Sequence, residues 1–474
     1  MNAQVLWTSA QAAEATGGWN TDEWRATGVS INSRDLRPDD LFIALKGPNF
    51  DGHDFIDDAF RKGAAAAVTH RQSNDAPRGP VLLVEDTMAA LWRMGAFGRS
   101  RSSARLIGVT GSVGKTGVKE VLAHCLSAQA PTASSGGSLN NHWGVPLSLA
   151  RMPPTATFGV FELGMNHAGE IRDLTQLVKP HVALITNVEA VHIGNFESVE
   201  RIADAKAEIF EGVMPDGTAV LNRDNPHFEH LASRARAAGI SRIIGFGSDD
   251  KAEARPIDCA LNATGSRVTA RILGRRVDYS LSLPGAHWVI NSLAVLATVA
   301  AVEADVSAAA EQLGRLTPLK GRGERHHIEF PGGAFLLIDD SYNANPTSMR
   351  AAFEVLGRAP IGPRGRRIAV LGDMLELGRQ SSKLHADLSG ALREAGIDLV
   401  FSCGPDMAAL DAALPPIMRG AHVADSQSLT PKVIAGLTDG DAILVKGSLG
   451  SRMGLVVEAL KGLARPLARA ANDE

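Results

Sequence analysis

The chain has 474 residues, 45% hydrophobic and 21% charged, with 48 Lys and Arg against 52 Asp and Glu for a formal charge of −4. That balance excludes collagen-like, disordered and membrane-spanning classes, and at roughly 150 residues per domain it predicts about three domains. No basic excess advertises a polyanion, so nucleic acid is not an expected partner.

Three cysteines, Cys125, Cys259 and Cys403, are too few and too scattered for a disulfide framework or a thiolate metal cage, which fits a reducing, cytoplasmic compartment. Met1 to Gly18 has neither a basic start nor an apolar stretch ending in a cleavage site, so no secretory signal is expected there. The longest mostly apolar run, Leu293 to Val302, is about half the roughly 20 residues that cross a bilayer, and reads as a core helix without membrane insertion.

In chain order, the first block is expected over residues 1–102. Asp39-Asp40 marks a turn, Leu41 to Leu45 reads as a strand, and Arg99 to Ser103 reads as a polar linker. The second block, 103–322, opens with an apolar strand at Leu106 to Val109, a Gly-rich turn, and a helix whose Val118, Val121, Leu122, Cys125 and Leu126 form one apolar stripe. Further strands are expected at Gly159 to Glu162 and Val182 to Thr186, a helix near Glu197 to Met214, and antiparallel hairpins within Val268 to Leu283. In the third block, 323–474, short apolar strands at Phe335 to Ile338, Ile368 to Leu371, Leu399 to Ser402 and Ala442 to Val445 alternate with helices. The fold class expected is α/β: a small α/β block, a central doubly wound, mostly parallel sheet of the phosphate-loop type, and a C-terminal Rossmann-like unit.

Gly111-Ser112-Val113-Gly114-Lys115-Thr116 sits between strand and helix, where a phosphate-cradling loop belongs. Glycines admit backbone N–H groups to the phosphates, Lys115 reaches the terminal ones, and the Thr116 hydroxyl suits Mg²⁺. A strict Walker A motif would have glycine at position 109, where this chain has Val109. Glu162 ends one strand and His192 follows another, so both fall where an open sheet gathers its ligands. Each has a plain alternative, Glu162 as a satisfied buried acid and His192 as a loop hydrogen-bonder.

Lys206 falls on the apolar stripe of its helix, among Val199, Ile202, Ala203, Ile209, Phe210 and Val213. Either its stem lies on apolar surface with the ammonium reaching water, or burial lowers its pKa and leaves an amine able to take up CO₂ as a carbamate. In the third block, Asn345 reads as a helix N-cap with Pro346 at the first helical position, which leaves the paired Asp339-Asp340 unexplained. Lys446-Gly447-Ser448 follows a strand and precedes a helix, an arrangement that suits either an anion or a structural turn.

On these residues the chain resembles the Mur ligase family over nearly its full length. The resemblance is carried by Asn32-Ser33-Arg34, Leu41 to Gly47 and Asp51 to Phe55 in the first block. In the second it is carried by Thr110 to Thr116, Asn140-Asn141, Gly144 to Pro146, Glu162 to Gly164, His192 and Ala205 to Phe210. In the third it is carried by Asp340 to Pro346, Leu371 to Gly378 and Val445 to Ser448.

It implies an ATP-dependent amide ligase that joins D-alanyl-D-alanine to UDP-N-acetylmuramoyl-tripeptide through an acyl phosphate, in cytoplasmic peptidoglycan-precursor synthesis and as a monomer. By the same resemblance the first block holds the UDP-sugar, with Ser33, Arg34, Gly47, His53, Asn141, Asn343 and Lys446 as substrate residues. ATP falls to Gly111, Ser112, Val113, Gly114, Lys115, Thr116, Asn291, Arg322 and Asp340. Two Mg²⁺ fall to Thr116, Glu162, His192 and Lys206, the last as a carbamate, and catalysis to Lys115, Lys206 and His192. Gly117 replaces the usual hydroxyl after Lys115-Thr116, and Asn32 stands where an acid is common. Other amide ligases of the same fold, such as a folate-polyglutamylating enzyme, and a phosphate-loop switch that hydrolyses ATP without ligating are the alternatives.

Overall fold

The computed structural model describes residues 4–71, 78–190 and 196–464. The chain gathers into two compact units, one of residues up to 186 with 203–245 and 294–309, the other of 187–202, 246–293 and 310 onward.

In the first unit, Asp39 takes a left-handed turn (φ 66°) and releases the chain into the strand Asp40–Ile43. Leu41 and Ile43 point into one apolar cluster with Trp7, Leu91 and Met94, while Phe42 and Ala44 point into another with Ala59 and Ala67. Alternation with both faces apolar demands cover on both sides of the sheet. The sheet has five strands in the order Trp19–Asn20, Val81–Leu83, Ala66–Thr69, Asp40–Ile43, Gly28–Ser30, parallel except for the first pair.

The helix Thr87–Ser100 is capped by Asp86, whose Oδ1 accepts from Ala89 N at 2.8 Å. It narrows the linker reading of Arg99 to Ser103: the chain remains helical to Ser100, and the connection to the strand at Arg105 is residues 101–104. Arg99 Nε donates to Val178 O at 2.9 Å, and the Arg101 guanidinium lies 4.3 Å over the Trp7 ring while donating to Leu6 O. Polar composition here marks side chains that tie carbonyls down, not a loose connection.

The second sheet of this unit carries, in order, Arg242–Phe246, Thr218–Asn222, Val182–Ile185, Arg105–Thr110, Phe158–Glu162 and Thr132–Ser134, the last five paired in parallel. The chain fills the positions on one side of Arg105–Thr110 first and then crosses to the other. That reversal opens a crevice at the carboxyl ends of the central strands.

The helix expected to reach Met214 instead ends at Ala207 and continues as a 3-10 turn over Glu208–Gly212. Tertiary bonds override it. Glu208 accepts from Gly169 N at 2.7 Å and Arg172 N at 3.1 Å, and Thr175 Oγ1 donates to Ile209 O at 2.8 Å.

In the second unit, Ala254–Asn262, Gly265–Ile272 and Arg275–Leu281 form the antiparallel ribbon that the alternation predicts. A six-stranded sheet follows in the order Glu324–Phe330, Gly333–Asp340, Ala442–Lys446, Arg367–Gly372, Leu399–Cys403, Arg419–Val423. Only its first pair is antiparallel. Leu336 and Ile338 face one core cluster and Phe335 and Leu337 the other, the pattern of a sheet covered on both faces. The strand Glu324–Phe330 was not legible in the sequence. Among Glu324, Arg325, His326, His327, Ile328 and Glu329 only Ile328 is buried, as suits an edge. Among the described residues no helix is long and apolar enough to cross a membrane.

Candidate functional site: a phosphate loop beside a buried lysine

The strand Arg105–Thr110 runs directly into the loop, and the helix Lys115–Ser127 begins behind it. Gly114 caps that helix at φ 86° and Gly111 sits at φ 149°, conformations that a Cβ would oppose. Val109, where a strict motif has glycine, is a fully buried strand residue in register with Glu162 and Leu184. The loop therefore starts after Thr110. Lys115 Nζ folds back to donate to Gly111 O at 2.7 Å, which places its ammonium over the loop. Thr186 Oγ1, at the end of the neighbouring strand, donates to Val113 O at 2.6 Å and braces the loop from the side.

Glu162 ends its strand 1% exposed. Asn140 Nδ2 donates to its Oε1 at 2.8 Å, while Oε2 is buried with no hydrogen-bond partner among the described residues. A buried carboxylate oxygen left in this way is costly unless something binds it. A hard divalent cation is the matching chemistry.

Lys206 is 3% exposed. Burial, and secondarily the charge of Lys115, push its amine well below the ordinary lysine range. Loss of solvation opposes the ammonium, and the second cation adds to that opposition. Thr116 is buried beside Lys115 at the head of the helix. The structure thus brings the loop Gly111 to Thr116 and Glu162 to the carboxyl ends of adjacent strands, with Lys206 close enough to feel the charge of Lys115. Among the described residues no group of three or more His, Cys, Asp or Glu forms a metal cage on its own. His192 lies outside the described residues. Asn140 and Thr186 were missed as functional residues from sequence. The Asn140-Asn141 pair was a visible signal, whereas Thr186 emerges only from strand register.

The remaining predicted residues fall in separate clusters. His53 is buried, its Nδ1 2.6 Å from Asp51 Oδ1, and Asp51 also pairs with Arg71. His53 Nε2 is buried without a partner among the described residues, and desolvation lowers the pKa of the ring despite Asp51. Ser33 accepts through its carbonyl from Lys62 Nζ at 2.8 Å, Arg34 is exposed, and Gly47 is closed over by the Phe50 ring. Asn32, in the position where an acid is common, donates to Asp35 at 2.8 Å. Asn141 Oδ1 accepts from Gly144 N at 2.9 Å and holds the start of the helix Gly144–Ala150.

In the second unit, Asp340 and Lys446 are register partners on parallel strands. Lys446 Nζ lies 2.6 Å from Asp340 Oδ2 and donates to Asn343 O at 3.0 Å. Burial holds the Asp340 carboxyl above the usual aspartate range, although Lys446 and Arg322 pull it down. The Arg322 guanidinium stacks 4.3 Å over the Tyr342 ring. Asn345 Oδ1 accepts from Ser348 N at 2.9 Å with Pro346 at the first turn, the cap the sequence predicts. Asn291 is half-buried on the helix Ala286–Ala301.

Comparison with known proteins agrees with this geometry. The family profiles that match are the Mur ligase family catalytic domain over residues 25–94, the Mur ligase middle domain over 109–299, and the Mur ligase glutamate ligase domain over 321–449. The UDP-N-acetylmuramoyl-tripeptide--D-alanyl-D-alanine ligase of Escherichia coli is 37% identical, covering 91% of this chain and 93% of that one. The ligase of the same description from Rickettsia prowazekii is 33% identical, covering 96% and 99%. Among solved structures, MurF from Acinetobacter baumannii superposes with a TM-score of 0.84 at 30% identity, covering 98% of this chain and all of that one. MurF from Thermotoga maritima in complex with ADP gives 0.76 at 27% identity, covering 92% and 97%. Three profile matches in order, near-complete relatives and the phosphate loop itself agree that this chain belongs to the Mur ligase family.

Proposed function

We propose that this chain is the ATP-dependent ligase that adds D-alanyl-D-alanine to UDP-N-acetylmuramoyl-tripeptide, in cytoplasmic synthesis of peptidoglycan precursor and as a monomer. The D-alanyl-D-alanine ligase activity for which its near-complete relatives are named supports this reading. The single observation that carries it is Lys206, a buried amine whose charge is opposed by both burial and Lys115, beside a phosphate loop. We assign blocks 1–102, 103–322 and 323–474 to UDP-sugar, ATP and the incoming dipeptide, a reading supported by one profile match falling within or nearly within each block.

A carboxylate does not expel oxide, so it is activated before an amine displaces anything. In the proposed reaction a carboxylate oxygen of the tripeptide attacks the γ-phosphorus of ATP and the bond to the β-phosphate oxygen breaks, releasing ADP and leaving an acyl phosphate. The dipeptide amine then attacks the acyl carbon and loses a proton, the acyl C–O bond breaks, and inorganic phosphate departs with that oxygen and the bonding pair.

Lys115 and the loop amides from Gly111 to Thr116 hold the phosphates and offset charge that grows on their oxygens, the main route to catalysis for phosphoryl transfer. Magnesium bound at Glu162, with Thr116, His192 and a carbamate on Lys206, would supply further positive charge to the same oxygens. The unpartnered Oε2 of Glu162 fits such an ion. The carbamate forms when the neutral Lys206 nitrogen bonds to the carbon of CO₂ and passes a proton to water. By the family pattern we assign Asn291, Arg322 and Asp340 to the nucleotide. Ser33, Arg34, Gly47, His53, Asn141, Asn343 and Lys446 are assigned to the two other substrates.

Incubation with ATP, UDP-N-acetylmuramoyl-tripeptide and D-alanyl-D-alanine tests the reading. ADP, phosphate and a UDP-linked pentapeptide in equal amounts are expected. ADP released at the same rate without the dipeptide and the tripeptide would overturn it in favour of a plain ATPase.

A further inference from the structure

Lys119 lies one turn beyond Lys115 on the phosphate-loop helix, yet its side chain is fully buried. Its ammonium meets three acceptors: Ser135 O at 2.6 Å, Gly137 O at 3.1 Å and the Glu120 carboxylate. A lysine has three N–H groups to give, so each has an acceptor. Two of the three go to the backbone of one segment, directly after the strand Thr132–Ser134.

That same segment supplies the partners of Glu162. Glu162 N donates to Ser135 Oγ at 3.2 Å, and Asn140 Nδ2 donates to Glu162 Oε1 at 2.8 Å. Between them, Leu139 N donates to Gly136 O at 3.1 Å and closes the turn, while Gly164 N donates to Asn140 O at 2.8 Å and fixes its far end. Glu162 is gripped at its backbone and at one carboxylate oxygen, and the other oxygen is left without a partner among the described residues.

We propose that Lys119 is a positioning residue for the cation site: it ties the phosphate-loop helix to segment 135–140, so that Asn140 holds one oxygen of Glu162 and the other is presented to magnesium. The inference rests on the magnesium assignment of Glu162 made above. Lys119 acts through the segment rather than on the reacting atoms. A lysine suits this role because one ammonium gathers carbonyls from two turns of a loop, which an apolar residue of the same length does not do. Partners one step removed from a metal ligand are worth about 10- to 100-fold in metal affinity.

The test is Mn²⁺ binding to the ADP complex of the full-length protein, followed by electron paramagnetic resonance, with ADP affinity in the absence of metal as the second readout. For Lys119→Met, Mn²⁺ binding is expected to weaken at least about tenfold while metal-free ADP affinity is unchanged. Lys119→Arg should restore part of the loss, and Ser135→Ala should show a smaller loss in the same direction. A merely structural lysine would weaken ADP and Mn²⁺ together or leave both unchanged, and either result overturns the proposal. Should Lys119→Met not accumulate as folded protein, Lys119→Arg and Ser135→Ala carry the test, and wild-type Mn²⁺ affinity in both overturns it. Failure of the wild-type ADP complex to take up Mn²⁺ would overturn the cation reading of Glu162 itself, a result distinct from equal affinities.

Discussion

Lys206 and Lys446 are buried to the same degree, each 3% exposed, one in each compact unit. Lys446 meets the Asp340 carboxylate at 2.6 Å and Asn343 O at 3.0 Å. The charge that bears on Lys206 is another cation, Lys115, and its amine is driven well below the ordinary range. Burial alone therefore does not decide what a lysine is for. The proposed function uses the first as an amine for chemistry and the second, tied to Asp340 and Asn343, as a group for binding.

The largest effect should come from removing the cation that opposes Lys206. Lys115→Ala is expected to lower ligation by about a thousandfold or more, since it deletes a main source of charge stabilisation for phosphoryl transfer. Near-normal turnover of that variant would remove the phosphate-loop assignment. Lys206→Ala should lose at least about a hundredfold, in the range of a lost electrostatic group, and added formate or acetate should restore part of it. Full activity without rescue would show that Lys206 is only packing.

Stability sharpens the comparison, because the same substitution should act with opposite sign at the two lysines. Lys446→Met strands Asp340, whose side chain is 23% exposed. A loss of about 1–2 kcal/mol in urea unfolding is expected, below the cost for a fully buried pair. Lys206→Met should instead raise the unfolding temperature of CO₂-depleted protein at neutral pH.

The pH dependence has a definite direction. The folded pKa of Lys206 is lowered, so below its ordinary value of about 10.5 the unfolded chain binds a proton that the folded chain resists. Wild-type stability therefore falls as pH drops from there towards the folded value, and the advantage of Lys206→Met should shrink as pH rises to about 10.5. An advantage independent of pH would mean that the amine is not displaced.

The sequence made the phosphate loop legible because glycine, lysine and hydroxyl at fixed spacing between strand and helix report their own chemistry. Lys206 was legible as an anomaly, a charge on an apolar stripe, but periodicity made snorkelling the default reading and burial the lesser one. The 3-10 turn that follows it is held by Glu208 and Thr175 through bonds to distant residues, which local pattern does not reveal. The same limit hid Thr186 and Lys119, whose partners lie 73 and 16 residues away. It also hid His385, fully buried, whose Nε2 accepts from Met374 N at 2.9 Å and holds the Leu371 to Gly378 motif in place. The block boundaries were drawn from the pattern of strands and helices, the first of them with the help of composition. Composition placed the connection near Arg99 to Ser103 but missed that Arg99 and Ser100 are helical, because it does not distinguish an arginine in solvent from one tied to a carbonyl.

The central claim, that Lys206 is kept as a reactive amine beside the phosphates, is tested most directly by ¹³C nuclear magnetic resonance of the folded protein in ¹³C-bicarbonate with magnesium and ADP. A single lysine carbamate resonance is predicted in wild type and none in Lys206→Met. No carbamate resonance in wild type, or one that persists in Lys206→Met, would contradict the claim.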